Sequence, residues 1–251
     1  MIHFLFVELN PLEQLSGILG TISIVVAWFY GILVLIKAIQ LKYKTLFYFF
    51  FAIIFTMSPW YPSGLGYIYW LFTNNVIIYP VYVLLGTLGV PIALIAWFQI
   101  YIPALHPRLK YPLIAGTAVL SVIYYIYVLF FLFYAPGAPI EAMIGIKENA
   151  VDIEYKAFAF IFLAFSLIVS TITGNEFSIH SMKDKDKTIK WKGRFLILSF
   201  NLFAIGAIGD GFLPLTTITL IIFRVIMVLA STFYYIGFIM PKWMKKILKL
   251  D

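Results

Sequence analysis

Cysteine is absent from this 251-residue chain, and Asp, Glu, Lys and Arg together make up only 12% of it. The first absence excludes disulfides, thiol catalysis and cysteine-ligated metal. The second, set beside 63% hydrophobic residues and a mean hydropathy of +0.99, excludes an ordinary soluble domain, which averages about 45–50% apolar and about 25% charged residues. Histidine is also scarce. His3, His106 and His180 fall in separate terminal or loop segments, so no cluster of His, Asp and Glu offers a metal site, and no cofactor is expected. The longest charged stretch, Asn175 to Arg194, is too short to bury a core of its own. The net charge of +7 would suggest nucleic acid in a soluble protein, but here the lysines flank apolar runs, where a bilayer explains them, and no nucleic acid is expected.

What is present is a series of apolar runs, each near the roughly 20 residues that a spanning helix needs. They predict an all-α, polytopic membrane protein, one bundle of seven helices at approximately 15–40, 45–60, 76–102, 111–134, 156–174, 195–213 and 215–240. Met1 to Ser16 has Glu8 and Glu13 but no Lys or Arg, so it is expected to be retained, not cleaved as a signal peptide. Tyr61 to Asn75 holds Pro62, Gly64, Gly66, Tyr67, Tyr69 and Trp70 without a charge, and reads as a loop lying flat at headgroup level. Pro80, Gly86, Gly89 and Pro91 predict a kink in the third helix, and Pro214 ends the sixth.

Charge sets the expected orientation. Of the 18 Lys and Arg, 15 collect on one face, in the segments around Lys42, Arg108, Lys187 and Lys245. The other face has only Lys147 and Lys156, with Glu8, Glu13, Glu141, Glu148, Asp152 and Glu154. The positive-inside rule then puts the N-terminus outside and the C-terminus in the cytoplasm, in a cell (plasma) membrane. The tail, residues 241–251, pairs lysines with apolar residues at helical spacing and predicts an amphipathic helix on anionic headgroups.

Two ionisable residues fall inside predicted spans, and such residues mark functional sites by default. Asp210 lies near the outer end of helix six, and Arg224 about nine residues into helix seven. At ~1.5 Å per residue both start in the outer half. The arginine leans toward its helix N-terminus and so toward Asp210, which predicts a salt bridge serving as a helix lock or as the floor of a ligand pocket. Tyr79, Tyr82, Tyr124, Tyr125 and Tyr127, in the outer halves of helices three and four, are candidate walls; the first four join Asp210 and Arg224 as candidate ligand-binding residues. On the inner side Lys187, Lys190, Lys192 and Arg194 are a candidate docking site for a cytoplasmic signalling partner.

Catalysis finds little support. Gly209-Asp210 resembles the Gly-Asp motif of presenilin-like intramembrane proteases, but a dyad needs a second aspartate on a facing helix and no predicted helix supplies one. Microbial rhodopsins share the seven-helix topology, yet they hold retinal on a lysine of the last helix, which here has none. Covalent retinal is disfavoured. Sugar carriers of the three-plus-one-plus-three type resemble one another through prolines inside helices one, two, five and six, and this chain lacks internal ones in helices one, two and five, Pro59 standing at the very end of helix two.

The run Phe233-Tyr234-Tyr235-Ile236-Gly237-Phe238-Ile239-Met240-Pro241-Lys242-Trp243 resembles the closing segment of prokaryotic seven-helix sensor modules, where a Gly-Phe pair precedes Pro-x-Trp and basic residues. The resemblance implies a receptor-like module that binds a small or lipidic ligand in an outer-half cavity and hands its output to a separate polypeptide. A small-molecule transporter and an assembly subunit of a membrane complex remain the alternative expectations.

Overall fold

The computed structural model describes residues 8–135, 140–213 and 216–250. His3, Pro214 and Leu215, the last being the expected start of helix seven, lie outside the described residues. Seven helices are long and apolar enough to cross a membrane: Pro11–Leu41, Lys44–Thr73, Tyr79–Leu105, Pro107–Phe133, Ala157–Met182, Lys187–Phe212 and Thr217–Ile239, here called spans one to seven. They mark the chain as an integral membrane protein.

Local chemistry explains where the spans start and stop. Span one opens on a capping box in which Asn10 accepts from the Leu12 and Glu13 amides and Glu13 reaches back to the Asn10 amide, satisfying amides that an open helix end leaves bare. It closes on Lys42 in the left-handed region, φ 51°. Span seven opens on a second capping box, Thr216 with Thr219. Lys242–Ile247 forms a short helix beyond it.

Spans two and three are each broken partway along. Span two is an α-helix to Thr56, a 3₁₀ turn at Ser58–Trp60 and a second α-helix over Tyr61–Thr73. This corrects the expected headgroup loop: Pro62 sits in the first turn of that helix, where a missing N–H costs nothing, and Gly64 is a contact residue. A Cβ at Gly64 would stand 2.8 Å from the Thr21 amide nitrogen, and one at Gly17 would stand 2.4 Å from Tyr67 Cβ. These glycines let spans one and two touch along their backbones. Span three breaks at Leu88, between Tyr79–Thr87 and Gly89–Leu105, within the stretch expected to kink.

Spans five and six differ from expectation at their facing ends. Span five continues to Met182, and span six already begins at Lys187, leaving a tight connection where a charged loop was expected. Hydropathy marks where apolar residues stop, whereas these helices carry their polar turns past that point.

Spans one, seven, six, five, three and two pack in that order around a ring, and span four lies outside it against spans three and five. On the side of the N-terminus, residues 140–156 form a cap. A two-stranded antiparallel ladder pairs Gly145 with Tyr155 and Ile146 with Glu154. The cap is pinned to the bundle by Tyr79 Oη donating to the Gly145 carbonyl (2.7 Å), Tyr127 Oη to the Met143 carbonyl (2.6 Å), Lys147 Nζ to the Ile77 carbonyl (3.2 Å) and the Ala150 amide to Glu13 (3.1 Å).

Candidate functional site: a cavity beneath the cap

The ring encloses a cavity of about 1080 Å³, at the upper end of the roughly 300–1,000 Å³ of small-molecule sites. Its mouth carries Glu148, Asp152, Glu154 and Lys156 from the cap and the loop after it. Its floor is Phe49, Trp97, Phe200 and Tyr234, contributed by four different spans.

The floor is an aromatic plug. Phe49 stacks on Phe238 of span seven with ring centroids 3.6 Å apart. Trp97 meets Phe200 at 4.9 Å, and Phe200 meets Tyr234 edge-on at 4.9 Å, both within the range of attractive ring contacts. Trp97 Nε1 donates to Thr173 Oγ1 of span five (2.8 Å), so the indole's one polar atom is satisfied. Spans two, three, five, six and seven are thereby drawn together on the side away from the cap.

Toward the cap end of the wall stands the expected ion pair. Arg224 Nε lies 3.2 Å from Asp210 Oδ1, with the two side chains 3% and 10% exposed. The second carboxylate oxygen accepts from Trp60 Nε1 at 2.5 Å, which brings span two into a lock between spans six and seven. Among the described residues the guanidinium is engaged through Nε alone. Its Nη1 is buried and has no hydrogen-bond partner among the described residues, although burying such a donor unpaired is costly. Tyr155 Oη, at the cap end of the cavity, is also buried without a partner among the described residues.

Asp152 completes the polar end. Burial, reinforced by the neighbouring Asp210 carboxylate and opposed by Arg224, pushes its carboxyl up to about 7. Burial likewise raises the Tyr155 phenol well above its ordinary value, so it stays a neutral donor. The Lys147 ammonium is held below its usual value by burial, and it lies 5.1 Å from the Tyr82 ring centroid.

Of the six candidate ligand-binding residues, Asp210, Arg224 and Tyr82 wall the cavity. Tyr79 pins the cap. Tyr124 is fully buried against Phe162, rings 4.0 Å apart, and Tyr125 donates to the Leu88 carbonyl at the break in span three (2.7 Å); neither is among the cavity-wall residues. Sequence reasoning missed Trp60, Asp152 and Tyr155. Trp60 stood at the expected end of a helix, and the other two in a linker with no periodicity to show which way they face.

The inner candidates lie on the first turns of span six. Lys192 Nζ donates to the Phe238 carbonyl (2.9 Å), tying span six to the end of span seven, and the Arg194 guanidinium lies 4.4 Å from the Trp191 ring centroid. Lys187 and Arg194 are exposed, and Lys190 is half-buried. Among the described residues no three His, Asp or Glu converge as metal ligands. A scan against protein-family models finds no match to this chain, and neither does a search of curated proteins.

Proposed function

We propose that the chain is a receptor-like membrane module that binds a small or lipidic ligand in this cavity and signals through a separate cytoplasmic partner. The observation that carries the reading is one cavity with two unlike ends: a polar end holding a buried, incompletely paired arginine, and an end sealed by aromatic rings. A transporter needs a polar route through both halves, and the plug at Phe49, Trp97, Phe200, Tyr234 and Phe238 supports sensing over passage. In this reading the cap faces outward and the basic face lies in the cytoplasm of a cell membrane, on anionic headgroups. A ligand on Arg224 shifts span seven against span six, and the Lys192 link to Phe238 passes that shift to the turns bearing Lys187, Lys190 and Arg194, where the partner docks.

Native mass spectrometry of protein gently extracted from its own membrane tests the proposal, with Arg224→Met as the control. The expected result is a stoichiometric small molecule or lipid on the wild type that is lost from a folded Arg224→Met variant. Retention of that molecule by the variant overturns the assignment of Arg224, and an empty wild type overturns the reading.

A further inference from the structure

The wall between spans five and six is unevenly closed. Away from the cap the two helices are in tight contact: a Cβ at Gly174 would stand 2.4 Å from the Phe200 ring, and one at Gly193 would stand 2.6 Å from the Ser178 carbonyl oxygen. Asn175 and Asn201 exchange side-chain hydrogen bonds at 2.7 and 3.3 Å. Toward the cap the helices part. Ile168 and Ile208 line the cavity and are nevertheless 57% and 50% exposed. Gly211, another wall residue, would place a Cβ with nothing within 4 Å. The edge-on pair Phe160 and Phe212, 5.7 Å between centroids, spans the gap near its end. The cavity therefore opens sideways between two helices that face lipid.

Charge narrows what can come through. Arg224 is already neutralised by Asp210 and Glu154 by Lys156, which leaves Asp152 and Glu148 beside the polar end. An anionic head would meet these carboxylates and compete with Asp210 for one guanidinium. A cation would face Arg224. An uncharged oxygen acceptor answers the bare Nη1 without adding charge, and the apolar floor accepts a long chain.

Building on the receptor reading, we infer that the cavity takes an uncharged, single-headed amphiphile from the bilayer, admitted between spans five and six, with its head oxygen on Arg224 Nη1. The absence of cysteine makes the portal testable at one atom. Gly211→Cys protein in nanodiscs is assayed with tritiated hexadecan-1-ol before and after reaction with a pyrene maleimide. The unlabelled variant is the reference against which the labelled protein is read. Labelling should slow association about tenfold or more by filling the gap, and Arg224→Met should weaken binding by about tenfold, the value of one hydrogen bond. Hexadecanoate and hexadecylamine should compete worse than unlabelled hexadecan-1-ol.

Unchanged association after labelling overturns lateral entry, and equal competition by either charged probe overturns the uncharged head. A co-purifying ligand in the mass spectrum together with no hexadecan-1-ol binding overturns this inference while leaving the receptor reading intact. No ligand in either experiment overturns both.

Discussion

Asp152 offers the sharpest test of the polar end, because its perturbation has a sign that depends on pH. Its carboxyl, ordinarily near 3.8, is pushed up to about 7, first by burial and then by Asp210. A raised carboxyl means that the fold prefers the neutral form, so the folded chain holds a proton that the unfolded chain releases between about pH 4 and pH 7. Stability should fall across that window and level off above it. At ~1.36 kcal/mol per tenfold in the proton equilibrium, the full displacement amounts to about 4 kcal/mol; water at the cavity mouth screens it, leaving an expected effect of about 1–2 kcal/mol. Asp152→Asn removes the charge and keeps an oxygen to accept from the Ile153 amide. The variant should melt with wild type at pH 4 and about 2–8 °C above it at pH 7.5, using the roughly 2–4 °C per kcal/mol of a chain this size. Thermal scans of both proteins from pH 4 to 8 measure the gap. Infrared difference spectra should show a protonated carboxyl band that the wild type loses as pH rises through 7 and that the variant lacks throughout. A gap that is constant with pH, or that closes as pH rises, refutes the reasoning.

Gly86→Ala would place a Cβ 2.1 Å from Tyr155 Oη; we expect a loss of about 1–3 kcal/mol from overpacking, recovered in large part by adding Tyr155→Phe, which deletes the clashing atom. Thermal melting of the two single variants and the double variant checks this, and no recovery would place the strain elsewhere. Trp60→Phe removes the N–H that Asp210 accepts and should cost about 1.5–3 kcal/mol, as for a bond to a charged group, read as a lowered melting temperature. A double-mutant cycle of Asn175→Leu and Asn201→Leu should return a coupling of about 0.6–1.7 kcal/mol, the range of side-chain bonds between membrane helices; zero coupling would show that the pair does not hold spans five and six together.

The legible part of the fold was the part that bulk apolarity controls. Seven runs gave seven spans, because a bilayer tolerates backbone only in closed hydrogen-bonded form. The Asp210 and Arg224 pair was also legible, since two opposite charges inside spans have few other partners. What misled was the meaning of small residues. Pro62, Gly64 and Gly66 look like a loop, but Gly64 allows contact with span one and Pro62 starts a helix. The polar turns from Asn175 to Met182 and from Lys187 to Arg194 look like a loop because they are charged, yet each continues a helix that hydropathy had already ended. The cap was illegible for a different reason. Its two-residue strands are too short to show alternation, so nothing in the sequence told Asp152 and Tyr155 from their exposed neighbours.

The breaks in spans two and three share one hydroxyl. Ser58 Oγ accepts from the Gly89 amide (3.2 Å) and faces the Leu85 and Gly86 carbonyls as donor at 3.0 and 3.1 Å. It supplies the partners that an interrupted helix loses where no water can replace them. The two interruptions are therefore a single joint: neither can be straightened, and no residue can be inserted beside either, without stripping partners from the other. The cap-side segments of spans two and three must tilt together or not at all, which leaves the front of the molecule with fewer independent moving parts than its helices would suggest.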